Sequence, residues 1–158
     1  MKKEQMDLLN KMRSMSEETT DTYIEYWKTY SDFSAWQFWV VVLMLVVPLL
    51  LLFLSIDKSK ALLLGFFGLN YHIWFAYINS IGINLGLWEY PYQIAPFLQS
   101  FALDASLVPV AYMLLYQYTL NHNKNIYLYS LFLSSFFAFI MKPIMVYLNL
   151  FKINDWVN

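Results

Sequence analysis

The sequence predicts an all-α integral membrane protein in which an amphipathic N-terminal helix precedes a bundle of four transmembrane helices. Three observations carry this. Of the 158 residues, 59% are apolar and 20% aromatic, whereas 13% are charged, about half the charged share of a typical soluble domain. The charges are unevenly placed: with ten Lys and Arg and eleven Asp and Glu in all, twelve of the 21 lie in the first 33 positions. Behind that polar arm come stretches long enough to cross a bilayer, which needs about 20 apolar residues.

The arm, residues 1–33, sets Leu8, Met12, Met15, Thr19, Tyr23, Tyr26, Trp27 and Tyr30 three or four positions apart, with Glu4, Lys11, Glu18, Asp21, Glu25 and Lys28 between them. That period is an amphipathic helix. Its aromatic stripe suits either the lipid headgroups or a partner protein. Lys2 and Lys3 are followed by polar residues and not by a short apolar run, so no cleavable signal peptide is expected and the first span serves as its own insertion signal.

The transmembrane domain, 34–158, divides into spans at about 34–55, 61–87, 97–120 and 126–151. The first holds "FWVVVLMLVVPLLLLFL" without a charge. Asp57, Lys58 and Lys60 make a polar turn before the second, which carries Asn70, His72, Asn79, Asn84 and all four glycines. Polar groups in hydrocarbon need partners within the bundle, and Gly82 with Gly86 makes a small-xxx-small pair that permits close helix approach, so this span is expected at the centre. Pro91 and Pro96 mark "WEYPYQIAPF" as an interfacial loop. Asp104 and Pro109 lie in the third span, "NHNKN" forms the next turn, and Lys142 and Pro143 lie in the fourth.

Four spans place the arm, the central loop and the C-terminus on one side, where Trp36, Trp39, Trp88, Tyr90, Tyr92 and Trp156 make an aromatic belt with Glu89 as an interfacial carboxylate. Lys2, Lys3, Lys11 and Arg13 tip that side toward the cytoplasm of a bacterial cell membrane.

Asp104 and Lys142 fall at matching depth, ~10 to 14 Å below the same surface. Each charge costs roughly 2.5 to 3.5 kcal/mol at mid-helix on insertion scales, so an Asp104–Lys142 ion pair is expected. Asn79 reaches a similar depth and offers its amide to the carboxylate, while His72 lies ~10 Å deeper, extending the cluster without touching Asp104. Proline in three spans frees the carbonyls of Met44, Ala105 and Phe139, four residues before Pro48, Pro109 and Pro143. The cluster Asp104, Lys142, Asn79 and His72 reads either as polar glue or as an ion, proton or polar-ligand site.

Other chemistry is thin. Without cysteine there is no disulfide, thiol nucleophile or thiolate metal site. A formal net charge of −1 gives no clustered cation for nucleic acid. No zinc helix, glycine-rich phosphate loop or second intramembrane aspartate is found, and Ser100 and Ser106 are weak candidates for a nucleophile activated by Lys142. No catalytic, cofactor-binding or metal residue is assigned. The expected partners are the lipid bilayer and, through Gly82 and Gly86 or the N-terminal helix, a second copy or another membrane protein.

Residues 90–156 carry a Tyr-Pro turn (Tyr90, Pro91), then Phe97, Ser100, the pair Leu103 and Asp104, "LVPV", and "YQYT" from Tyr116 to Thr119. In these the chain resembles a family of small multi-pass membrane proteins of spore-forming Gram-positive bacteria. The resemblance implies a membrane location and topology, and no activity. The family commonly has an acidic residue in the later helix where this chain has Lys142 and Pro143, so the ion pair is a property of this sequence alone.

Two classes of function follow. The first is a helical bundle acting in assembly, in sensing or as a subunit of a membrane complex. The second is an oligomeric transporter or channel-like protein with Asp104, Lys142 and Asn79 as its polar pathway; a membrane hydrolase is a remote third.

Overall fold

A computed structural model describes residues 2–154; Trp156, expected in the aromatic belt, lies outside them. The described chain is mainly helical. Helix α1 (Lys3–Tyr30) contains no buried residue. Its last turn is closed by the Ser31 amide on the Trp27 carbonyl, and Asp32 then accepts from the Ser34 amide and hydroxyl to turn the chain into α2 (Trp36–Ser55). At 20 residues, α2 is about 30 Å long, the thickness of a hydrocarbon core. The far end of α2 is capped by one side chain: the Gln117 amide donates to the Ser55 carbonyl at 2.8 Å and its oxygen accepts the Asp57 amide at 2.7 Å.

Helix α3 (Ala61–Asn84) is followed by a strand β1 (Trp88–Glu89) and the central loop. Helical backbone resumes at Phe101 and passes through a widened π turn, Leu103–Leu107, into α4 (Val108–Asn121). The last span is built as α5 (Ile126–Phe136), a second π turn (Phe137–Met141) and α6 (Lys142–Tyr147). Strand β2 (Lys152–Ile153) then pairs antiparallel with β1. Among the described residues three helical stretches are long and apolar enough to cross a membrane: Trp36–Ser55, Lys58–Asn84 and Ile126–Tyr147.

The bundle is centred on the third expected span and not on the second. The π turn and α4 touch α2, α3 and α5, and α4 buries Val108, Pro109, Val110, Tyr112, Met113 and Thr119. Between α3 and α4 runs an aromatic ladder in which Phe67 packs on Tyr116 at 4.3 Å and Tyr71 stacks on Tyr112 at 4.0 Å. The i, i+4 spacing on both helices makes this possible.

The close approach is made at Gly68, where a Cβ would strike Met113, and at Gly82, where it would strike the Trp88 indole. Gly86 is not a helix contact. It has φ +68° and open space around its Cα. The Leu87 amide bonds the Gly82 carbonyl and the Gly86 amide the Ile83 carbonyl, both at 2.9 Å, which is a Schellman ending. The second span therefore stops at Asn84, three residues earlier than expected.

Asn149 (φ 57°) ends α6 the same way, through Leu150 to Met145 and Asn149 to Val146. The fourth span thus closes at Tyr147, and Leu150 and Phe151 fold back into the core beside Tyr90, Val41 and Met145. Helix in the expected third span begins at Phe101, about four residues late, because 95–100 form turns closed by Leu98 on Ala95 and Phe101 on Leu98.

Candidate functional site

Asp104 lies in the first π turn and is 4% exposed. Its carboxylate is held by two neutral donors. The Asn79 amide reaches Oδ1 at 2.6 Å, and the Ser100 hydroxyl donates to Oδ2. Asn79 is itself oriented by the Tyr90 hydroxyl, which donates to its Oδ1 at 2.9 Å. Burial, with the Asp104 charge second, pushes the Tyr90 phenol well above its ordinary pKa, so it remains the proton donor this arrangement requires. Tyr90, expected among the interfacial aromatics, is buried at 5% exposure and belongs to the cluster.

The expected Asp104–Lys142 ion pair is not formed. Among the described residues the salt bridges are Arg13–Glu17, Asp57–Lys60 and Glu89–Lys152. A last helix running to Phe151 would put nine residues between Lys142 and its end, but the Schellman ending at Asn149 leaves five, or about 7 Å. From that shallower level the side chain extends toward the loop. Its ammonium rests 3.9 Å from the Phe151 ring centroid and 5.3 Å from that of Trp88.

His72 does touch Asp104. Its Nδ1 lies 2.7 Å from the Asp104 carbonyl oxygen. The π turn explains why that oxygen is available. In it the Val108 amide bonds the Leu103 carbonyl, five residues back. The next bond in the series would go from residue 109 to Asp104, and residue 109 is proline, with no N–H to give. In this register proline leaves the carbonyl of Asp104 without a helical donor. A carbonyl only accepts, so His72 carries its proton on Nδ1.

The second π turn repeats the pattern. The Lys142 amide bonds the Phe137 carbonyl, and in that register Pro143 leaves the next carbonyl, that of Ala138, without its donor. Near Pro48, Ser106 donates to the Leu45 carbonyl at 2.6 Å, beside the freed Met44. Ser100 and Ser106 thus bond Asp104 and a carbonyl, and neither bonds Lys142.

From Asp104 the polar contacts continue to the arm. Beyond Tyr90, whose carbonyl accepts from Gln93 Nε2 at 3.2 Å, the Gln93 backbone is gripped on both sides. The buried Ser31 hydroxyl accepts the Gln93 amide at 2.8 Å, and the Trp27 indole N–H donates to the Gln93 carbonyl at 2.9 Å. Sequence reasoning missed Gln93 and Ser31 because neither carries charge nor falls in a span.

The other interfacial residues separate. Glu89 is exposed, pairs with Lys152 at 3.6 Å and accepts from Asn154 at 2.9 Å. Tyr92 is half-buried against the core that Tyr90 and Phe151 share, and Trp88 packs on Gly82 with its indole nitrogen buried and without an acceptor among the described residues.

Two cavities reach Asp104. One, of about 310 Å³, is lined by His72, Ser80, Asn84, Ser100 and Asp104 among others. The other, of about 270 Å³, is bounded by Asn79, Tyr90, Trp88, Lys142, Phe151 and apolar side chains of α3 and the last span. Asp104 and Lys142 thus share a cavity wall without sharing a bond. Comparison of the chain with protein-family models, curated proteins and solved structures gives no match.

Proposed function

We propose that the chain is a multi-pass membrane protein of four spanning helices, the π turn with α4 being the inner one, and that it acts as a sensing or assembly subunit of a membrane complex. The observation that carries this reading is the line of hydrogen bonds from Trp27 and Ser31 through Gln93, Tyr90 and Asn79 to Asp104. It joins the root of an otherwise uncovered helix to a buried carboxylate. Helix α1 leaves Leu8, Met12 and Met15 exposed as a face for a partner, and that face changes pose when the root changes.

Hydrogen exchange on the full chain in lipid nanodiscs tests the coupling. With Asn79→Leu, amides at 27–31 and at Gln93 exchange faster while those of α4 keep their protection. Unchanged exchange at the arm root in that variant sinks the reading.

A second reading is supported by the two cavities flanking one carboxylate, which suits an ion or proton pathway in an oligomer. Proteoliposomes under pH and alkali-cation gradients test it. Flux equal to that of empty vesicles removes it for those ions.

A further inference from the structure

The wall of the second cavity carries two donors for which the described residues supply no acceptor. One is the ammonium of Lys142, an exposed residue five positions before the end of the last span, resting on the faces of Phe151 and Trp88. The other is the Trp88 indole N–H. Both line the same space, whose remaining wall is largely apolar: Phe75 and Ile78 from α3, Phe137, Ala138 and Met141 from the second π turn. A cation on aromatic faces gains attraction but keeps its N–H groups free, so an acceptor with negative charge completes it.

The neighbouring carboxylate does not fill that role. Asp104 is held by Asn79 and Ser100 and makes no ion pair or hydrogen bond with Lys142. The α3 and α5 helices bracket the cavity, yet each packs on α4 and the two are not packed on each other, so the cavity lies in a cleft between them that faces outward. At about 270 Å³ it falls just below the usual range for pockets that enclose a whole ligand. It fits part of an acyl chain, with the headgroup left at the rim.

We propose that this cleft binds an anionic membrane amphiphile, its phosphate or carboxylate on Lys142 and Trp88 Nε1 and a segment of its acyl chain between α3 and the second π turn. The site rests on the bilayer placement of Ile126–Tyr147 proposed above, which extraction of membranes with alkaline carbonate tests separately: release of the chain would fail that placement, whereas the lipid assay addresses the cleft alone.

The full chain is reconstituted in phosphatidylcholine with phosphatidylglycerol, oleate or inorganic phosphate in separate arms, and retained molecules are counted by native mass spectrometry. Phosphatidylglycerol or oleate is expected to be retained over phosphatidylcholine, and Lys142→Gln to lower retention roughly five-fold or more, the worth of one cation beside an anionic lipid. Lys142→Arg restores it. Trp88→Phe, which keeps the ring, weakens it, and Ala138→Leu blocks the chain without touching charge. Equal retention by Lys142→Gln, equal retention of phosphatidylcholine, or displacement by inorganic phosphate as effective as by lipid would overturn the proposal, the last by showing that no acyl chain is recognised.

Discussion

Asn79 does two jobs with one amide, and that makes it the most sensitive polar residue in the bundle. Its N–H₂ serves Asp104 and its carbonyl takes the Tyr90 hydroxyl. Asn79→Leu leaves both partners buried and short of a bond, at about 1–3 kcal/mol for each. Tyr90→Phe removes one neutral bond and costs about 1 kcal/mol. Thermal unfolding in detergent should rank the two in that order, and equal losses would contradict the shared amide. For His72, nitrogen-15 chemical shifts should report the Nδ1–H tautomer, and an Nε2–H imidazole would contradict its bond to the Asp104 carbonyl. Depth counting alone brought Asn79 to Asp104, because the two helices are shortened at the same end by similar amounts, three residues in one and four in the other. It placed His72 too deep because that contact is made to a backbone oxygen, which becomes available only when a π turn meets Pro109.

Helices α3 and α6 end in left-handed caps, and those caps decide which sequence expectations survive. Gly86 and Asn149 both terminate a span early and feed β1 and β2, whose pairing ties the loop to the C-terminal segment. A glycine four residues from another reads as a packing motif, and only the positive φ separates the two roles. The glycines can be told apart by substitution. Gly65→Ala meets nothing and should be neutral or stabilise by up to about 1 kcal/mol through helix propensity. Gly82→Ala drives a methyl into the Trp88 indole and should cost about 1–3 kcal/mol. Gly86→Ala is strained by its backbone, at roughly 1–2 kcal/mol. Detergent unfolding midpoints in the order Gly65→Ala, wild type, Gly82→Ala check the assignment. A Gly65→Ala variant as damaging as Gly82→Ala would refute it.

At the scale of the whole molecule, the apolar spans were legible because hydrophobicity over 20 residues is a property of composition, whereas their order of burial was not. Polar residues suggested the second span as the centre. The structure puts the third there, because Val108, Tyr112 and Thr119 pack inward on three sides and the asparagines at 70 and 84 bond their own helix. The turn beyond α2 adds a pH response. Bonds from the Ser59 side chain and from Lys60 hold the Asp57 carboxyl below its usual range. A folded value below the unfolded one gives stability that is complete above the unfolded value, near 3.9, and is lost as pH falls through the folded value. The Ser59 amide shift in detergent should therefore move only in strongly acidic solution, and a transition near neutrality would contradict the cap.

The π turn at Leu103–Leu107 has a consequence for how the chain tolerates insertion and deletion. Such a turn amounts to one surplus residue in an otherwise regular helix. Removing Ala105 would erase the surplus and rotate everything upstream relative to α4 by about 100°. Asp104 would then leave Asn79 for the outside of the bundle, with the composition of the helix unchanged. The reading frame of the helix, and not its hydrophobicity, is what keeps the carboxylate indoors.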